Sequence, residues 1–407
     1  MVKKWNITTI GDFLNFKNGL NKGKEFFGHG TPIVNYTDVY NHRGLRKSDI
    51  KGTVSLSDDE IARYEVKKGD VFFTRTSEIP DEVGLTSVLL DEIDDCVFSG
   101  FVLRGRPKNN MFLPEYCQYC FSTREIREKI ILNCTYTTRA LTNGTQLSKI
   151  ALPVPTYKEQ EAIAKVLSDI DSLINSLSRQ IDKDKNMKFA YLSHMFPRNG
   201  TKVPEIRLPG FKGDWSIRKL SELYITDCSG GTPTVTNPSY YNGSIPFLGI
   251  SDIKGRWIKR TAKSITELGL KNSSATIVDA GSIALAMYAS VGKVGIMSVP
   301  MATSQAFFNM TFDDVVTRDF IYTRLQRAEV SNEWEPLIST GTQRNLNAQK
   351  LRKYELLVPE REEQKAIADF FQEVDDTIEL HVQKLEKYKM IKQGMMEELL
   401  TGRVRLV

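Results

Sequence analysis

The sequence predicts an α+β protein written twice. Two mixed α/β modules are held apart by a long antiparallel two-helix coiled coil, with the halves related as a pseudo-twofold internal repeat. Three observations carry this expectation. Blocks in the first half recur in the same order in the second, two long helices share one apolar period, and each helix follows a stretch of short apolar runs broken by Gly, Pro and Asn.

The repeat opens with WNITTIGDF from Trp5, answered by WSIRKLSEL from Trp215. TPIVNYTDV (Thr31 to Val39) is answered by SIPFLGISDI (Ser244 to Ile253), which sets Pro32 against Pro246 and Asp38 against Asp252. VKKGDVFFTR from Val66 is answered by VDAGSIALAM from Val278, with Gly69 facing Gly281. LPVPTYKEQEAIAKVL is answered by LLVPEREEQKAIADFF, which aligns Pro155 with Pro359 and Gln160 with Gln364. The boundaries that follow are residues 1–154 for the first module, 155–196 for a central helix, 197–214 for a linker, 215–358 for the second module and 359–407 for a C-terminal helix. The linker stretch, PRNGTKVPEIRLPGFKGDW from Pro197, is too rich in Pro and Gly to continue the helix. Inside each module, runs such as DVFFTR and SIALAM read as strands between loops.

Thr156 and Glu159 have capping-box spacing at the start of the first long helix. Its apolar residues step at Ile163, Leu167, Ile170, Ile174, Leu177 and Ile181, then resume at Tyr191 and Met195. Ile367, Phe371, Val374, Ile378, Leu385, Met395 and Leu399 of the second helix each lie 204 residues beyond a member of that first-helix series. The period is that of a coiled-coil seam. About 35 helical residues span about 50 Å. Leu177 is answered by His381, a polar residue on the seam that suits a register-setting role better than a ligand role.

The 407 residues carry 55 Lys+Arg against 50 Asp+Glu, a formal net charge of +5, so a nucleic-acid footprint must come from local clustering. Five irregularly spaced cysteines suit a reducing compartment, and Cys117 and Cys120 form a lone CxxC in helical sequence that reads as buried thiols. No apolar run has signal-peptide or membrane-helix length, and the expected location is cytoplasmic.

Catalytic signals are weak. Asn237-Pro238-Ser239-Tyr240 approximates the NPPY signature of adenine methyltransferases but follows no apolar strand and has no Gly-rich cofactor loop, so it reads as a turn. The acidic Asp91–Asp95 run and Pro80-Asp81-Glu82 lack the lysine of a metal nuclease site. No nucleotide-binding GxxxxGK(S/T) loop occurs, and the four histidines have no metal-ligand spacing. The expected site inventory therefore has no catalytic residue, no metal and no cofactor in this chain.

Two different modules on a rod would suit two half-sites on double-stranded DNA, since successive major grooves on one face recur every ~34–36 Å. Base and phosphate contacts need Arg, Lys, Asn, Gln or hydroxyl groups on loops. In the first module the candidates are Lys22, Lys24, Arg43, Thr74, Arg75, Thr76 and Arg139. In the second they are Lys254, Arg256, Tyr288, Lys293, Gln343 and Arg344.

The ITTIGDF/IRKLSEL openings, the stretch SGGTPTVTNPSYYNGSIPFLGISDI (Ser229 to Ile253), the two VP...EQ helix starts and the linker VPEIRLPGF together resemble the specificity subunits of type I restriction-modification systems, over nearly the whole chain. HGTPIVNYTDV in the first half departs from the fuller form of the second. The resemblance implies two target-recognition domains and a non-catalytic DNA-recognition role directed at a bipartite, asymmetric target. It also implies two adenine methyltransferase (modification) subunits using S-adenosylmethionine, and restriction subunits, ATP-dependent translocase/nucleases that use ATP and magnesium. A free-standing two-headed DNA-binding regulator is the alternative; it would bind its site without a methyltransferase.

Overall fold

The computed structural model describes residues 5–136, 138–198, 200–340 and 344–406; the side chains of Thr340 and Arg344 also lie outside the description. The chain forms two compact units, residues 1–176 with 385–407 and residues 177–384. Each unit therefore joins one module to the nearer portions of both long helices, rather than leaving the helices as separate bodies.

The two modules share one sheet topology. In the first, β1 (Leu14–Asn18), β2 (Gly44–Leu45), β3 (Val71–Thr74), β4 (Thr86–Leu89) and β5 (Val102–Pro107) lie in the order β1-β5-β3-β4-β2. In the second, β6 (Thr226–Cys228), β7 (Trp257–Ile258), β8 (Ile283–Ala286), β9 (Val294–Met297) and β10 (Phe307–Thr311) lie in the order β6-β10-β8-β9-β7. The first and last of these orders correspond strand for strand. Their centres, β3 and β8, are wholly buried, as expected of uninterrupted apolar runs with covered faces.

The repeated sequence blocks have physical reasons. Gly69 and Gly281 both adopt left-handed backbone, at φ 87° and 85°, where a side chain would strain the chain. Each turns so that its N–H meets the opposing strand, Gly69 on Leu89 O and Gly281 on Met297 O, both at 2.8 Å. The carboxylates of Asp38 and Asp252 each accept a backbone N–H three residues upstream, from Asn35 at 2.8 Å and Gly249 at 2.9 Å. The opening strands pair antiparallel with the strands that lead into the long helices, Asn6 against Val154 and Ser216 against Val358.

The helices include, in chain order, α1 (Pro114–Cys120), α2 (Tyr157–His194), α3 (Val315–Val330) and α4 (Arg361–Leu400). The capping box at Thr156 forms, with Thr156 N donating to Glu159 at 2.9 Å. Within each unit α2 and α4 lie side by side and antiparallel. Lys392 pairs with Asp171 in the first unit; in the second, Lys188 pairs with Asp375 and His381 with Asp184 at 2.8 Å. Asp375 lies 204 residues beyond Asp171 and Lys392 lies 204 beyond Lys188, so one ion pair is formed twice with its partners exchanged. That exchange is the local signature of a twofold repeat.

The seam is most buried near its ends. Ile163 and Leu167 pack with Leu399 and Leu400 into the first module's core, and Ile367 and Phe371 pack with Leu192 and Phe196 into the second's. Ile170 and Ile181 are buried, whereas Ile174, Leu177, Val374, Ile378 and Leu385 are only half-covered. End positions thus serve both as seam and as module core.

The segments that follow the long helices also correspond. Ile206 N donates to His194 O at 3.0 Å, and Val404 N to Glu398 O at 3.1 Å, with His194 and Glu398 again 204 residues apart. Arg207 then makes a bidentate pair with Glu363 at 2.7 and 2.8 Å, while Arg405 pairs with Glu159 and stacks 4.8 Å from the Trp5 ring. The expected C-terminal helix therefore stops at Leu400, and residues 401–406 do for the first unit what the linker does for the second.

Glu363 is almost fully buried, and removing it takes the counter-charge from Arg207 and leaves that guanidinium on the Lys212 and Gly213 carbonyls. Glu363→Ala is expected to cost about 3–5 kcal/mol, read by urea denaturation. Hydrogen bonding from Arg361 holds the Asp314 carboxyl far below the usual carboxylate range. The resulting stabilisation is complete above the unfolded value of about 4 and is lost as pH falls below it. Thermal scans should show wild type above Asp314→Asn at pH 7, with the gap starting to narrow only below about pH 4 and persisting in part at pH 3.

Candidate nucleic-acid interface

Four loops meet along one edge of the first module. Leu20 N donates to Phe98 O at 2.9 Å and Gly100 N returns to Leu20 O at 2.7 Å, tying the loop at Asn21–Lys24 to the Ser99–Phe101 turn. Arg75 N donates to Phe101 O at 3.3 Å, and the Arg75 guanidinium reaches Gly100 O at 3.4 Å. Thr142 N donates to Arg75 O at 3.0 Å, and Thr76 pairs with Leu141, which adds the loop carrying Tyr136 and Arg139. Exposed Phe101, Tyr136, Lys24 and Arg139 therefore stand on a hydrogen-bonded frame around Arg75.

The second module builds the same edge from different residues. Met287 N donates to Ala306 O at 2.8 Å and Leu346 N to Met287 O at 2.9 Å, while Tyr288 bridges Asn345. Ala289, next along this loop, holds a left-handed φ of 57°, a strained state for a residue with a side chain. Thr232 donates to the Gln305 side-chain oxygen at 2.9 Å.

The candidates lie in different settings. Arg75, Thr76, Lys24 and Arg139 lie on the first module's edge, Arg139 paired with Glu78 at 2.9 Å, and Tyr288 lies on the second's. Lys22 is half-buried, paired with Glu60 at 2.7 Å and 4.6 Å from the Phe26 ring. Lys254 is exposed, and Lys293 is half-buried with its ammonium 3.4 Å from Ile250 O. Arg344 enters a two-residue strand opposite Thr340, with its side chain outside the description, and Gln343 lies outside the described residues.

Two candidates, Thr74 and Arg256, are corrected, and Arg43 stands apart from them. Thr74 is wholly buried, its hydroxyl donating to Glu82 O at 2.8 Å and accepting from Leu85 N at 2.9 Å, so it closes a hairpin instead of meeting solvent. Arg256 is 4% exposed, 3.1 Å from Asp319 and 4.9 Å from the Tyr322 ring. Arg43 holds the corresponding position, its carbonyl accepting from Val88 as that of Arg256 accepts from Ile296. It lines a cleft with Tyr119, Asp171 and Lys392, where Tyr119 donates to Asp171 at 3.0 Å. Arg43 is itself exposed and remains a candidate, whereas Arg256 is closed in by α3 of its own module. For Arg256, sequence position after a polar loop suggested solvent; its aspartate and tyrosine neighbours arrive only through the fold.

Phe101, Tyr136 and Gln305 were not anticipated. In CVFSGFVL, Phe101 reads as one more member of a buried strand, and only the Ser99–Phe101 turn brings it outward.

The tempting signals resolve as structure. Asn237–Tyr240 is a short turn in which the Asn237 side chain accepts from Ser239 N at 3.1 Å. Cys117 and Cys120 are buried in α1. Among the described residues, no group of three or more His, Cys, Asp or Glu is placed to hold a metal ion, and no helix is long and apolar enough to cross a membrane.

These environments separate two arginines experimentally. Arg256→Ala should lower folding stability by about 2 kcal/mol in urea denaturation. Arg75→Ala should leave that transition unchanged but weaken DNA binding about tenfold by fluorescence anisotropy.

Residues 2–185 and 212–390 each match the family model described as type I restriction modification DNA specificity domain. The chain is 25% identical over 99% of its length to the putative MjaX specificity subunit of Methanocaldococcus jannaschii, covering 94% of that protein. It is 22% identical over 98% of its length to the HindI specificity subunit of Haemophilus influenzae, covering 99% of that protein. Among solved structures, it resembles the S subunit from M. genitalium with a TM-score of 0.58 and 14% identity, over 97% of this chain and 96% of that one. A chain from a type I system studied for complex assembly and conformational transition gives a TM-score of 0.61 at 16% identity, over 98% of both chains. With the domain present twice and each copy ending in a matched helix, the chain belongs to the family of type I restriction-modification DNA specificity subunits.

Proposed function

We propose that the chain reads a bipartite, asymmetric double-stranded DNA target, one half-site per module, and directs partner subunits to it. The carrying observation is that one scaffold, with the same strand order and the same hydrogen bonds around Arg75 and Met287, presents different side chains in its two copies. Different side chains on equivalent loops suit two different half-sites. The helix pair then sets the unread spacer between them. Two adenine methyltransferase subunits, carrying S-adenosylmethionine, dock on the repeated helical surfaces. Met187 and Ile391, exposed apolar residues 204 apart, support two equivalent docking positions. Restriction subunits using ATP and magnesium complete the cleaving assembly.

The direct test is single-molecule methylation sequencing of DNA from cells expressing the chain with an adenine modification subunit. A two-part adenine motif that vanishes when the chain is omitted is expected. Its absence, with a modification subunit active beside another specificity chain, would favour a free-standing regulator.

The spacer has its own test. The antiparallel pairing requires matched insertions, one heptad after Gln180 and one after Gln383, to keep the partners in register. Such a variant should lengthen the spacer by about 10 Å, or about three base pairs. An unchanged spacer in its methylation map would refute the ruler.

A further inference from the structure

The geometry points to one turn, present in both modules, as a base-reading position that gives the two half-sites different preferences: Phe101 for a thymine methyl group and Gln305 for an adenine. This rests on the DNA-reading function proposed above and names the residues and base features involved.

The turn is the same structure twice. Phe101 N donates to the Ser99 hydroxyl at 3.3 Å, and Ala306 N to the Ser304 hydroxyl at 3.2 Å. The carbonyls of Phe101 and Ala306 accept from Arg75 N and Met287 N, the first residues after β3 and β8. Ser99-Gly100-Phe101 and Ser304-Gln305-Ala306 are therefore equivalent, and the backbone of each is pinned from both sides. What differs is the cargo.

Phe101 is 65% exposed, among the most exposed large apolar residues of the module. Its backbone is held from both sides, and the exposed ring carries a hydration cost that burial against an apolar partner would remove. The Arg75 guanidinium on Gly100 O and the exposed Lys24 nearby in the frame make that partner anionic at its surface and apolar at the point of contact. A phenyl ring gains nothing from phosphate. On B-DNA the apolar feature at a major-groove edge is the thymine C5-methyl, a recognised contact for phenylalanine.

Gln305 is exposed on the other copy. The Thr232 hydroxyl donates to its side-chain oxygen, which orients the amide, and a glutamine amide so held still has two N–H donors and a second oxygen lone pair to offer. That donor–acceptor pair matches adenine N7 and N6.

The test is the methylation map of full-length Phe101→Ala and Gln305→Ala chains, each with the modification subunit. Each variant should relax one base position by about tenfold, Phe101→Ala in one half-site and Gln305→Ala in the other, with spacer and remaining bases kept. Phe101→Leu should retain most of the preference. Deoxyuridine in place of thymine at the relaxed position should reduce wild-type discrimination to that of Phe101→Ala. Unchanged motifs in both variants beside a wild-type two-part motif would overturn the assignment, as would relaxation in the same half-site. Loss of all methylation with unaltered thermal unfolding would also overturn it, by assigning the turn to assembly. A wild-type chain conferring no two-part motif would instead refute the function beneath it.

Discussion

Two buried glutamates, Glu159 and Glu363, set the terms on which everything else is held. Each is the third residue of a long helix, and each is 3% exposed at its side chain, where an unpaired carboxylate is costly. The cation comes from the segment after the other helix: Arg405 reaches Glu159 and Arg207 reaches Glu363. Trp5 adds an indole donor to Glu159 at 3.1 Å, and Trp215 packs at the edge of Phe196 in the second unit. One charge requirement thus fixes where a helix starts, where the previous segment must return and where a module's first strand enters. Replacing such a pair by apolar groups need not destabilise a fold, so its value lies in specifying which segments meet.

The helix pair follows the same logic with one informative exception. Asp171–Lys392 and Asp375–Lys188 are the same contact formed twice, and either half of the chain carries both members. Asp184–His381 is different, because the residues 204 away are Tyr388 and Leu177. In a pairing of two first-half helices Asp184 would face a leucine, and in a pairing of two second-half helices His381 would face a tyrosine. The polar match exists only between unlike helices, which favours pairing of α2 with α4 over pairing of like helices. A polar seam residue that fixes register at some cost in apolar contact is a known device of coiled coils.

The modules divide labour between a shared frame and private loops. Strand order, the left-handed glycines at 69 and 281 and the aspartate-capped turns at 38 and 252 are common, because each satisfies backbone groups that any version of the fold must satisfy. Beyond the ends of β3 and β8 the copies part company: Arg75 and Phe101 on one, Met287, Tyr288 and Gln305 on the other. Loops on a rigid sheet can change without disturbing the core, and the proposed reading residues stand on such loops.

Sequence alone determined what is local or periodic. The repeat, the 204-residue step of the helices, the capping box at Thr156 and the turn at Asn237 were all legible, because each depends on spacing along one strand of chain. The candidate interface was legible only in part. Arg75 and Tyr288 come just after an apolar strand, and the structure sets each on its module's edge. Arg256 and Thr74 looked equally open, yet Asp319, Tyr322 and Glu82 close over them from segments whose approach no local pattern encodes. Phe101 failed in the opposite sense, looking like core until a three-residue turn reversed its direction. Likewise the return of Arg405 to Glu159 joins residues 246 apart, and nothing but tertiary packing pairs them. Periodicity reports which face of an element is apolar; which charges that face must then bury, and against what, is decided only when distant segments meet.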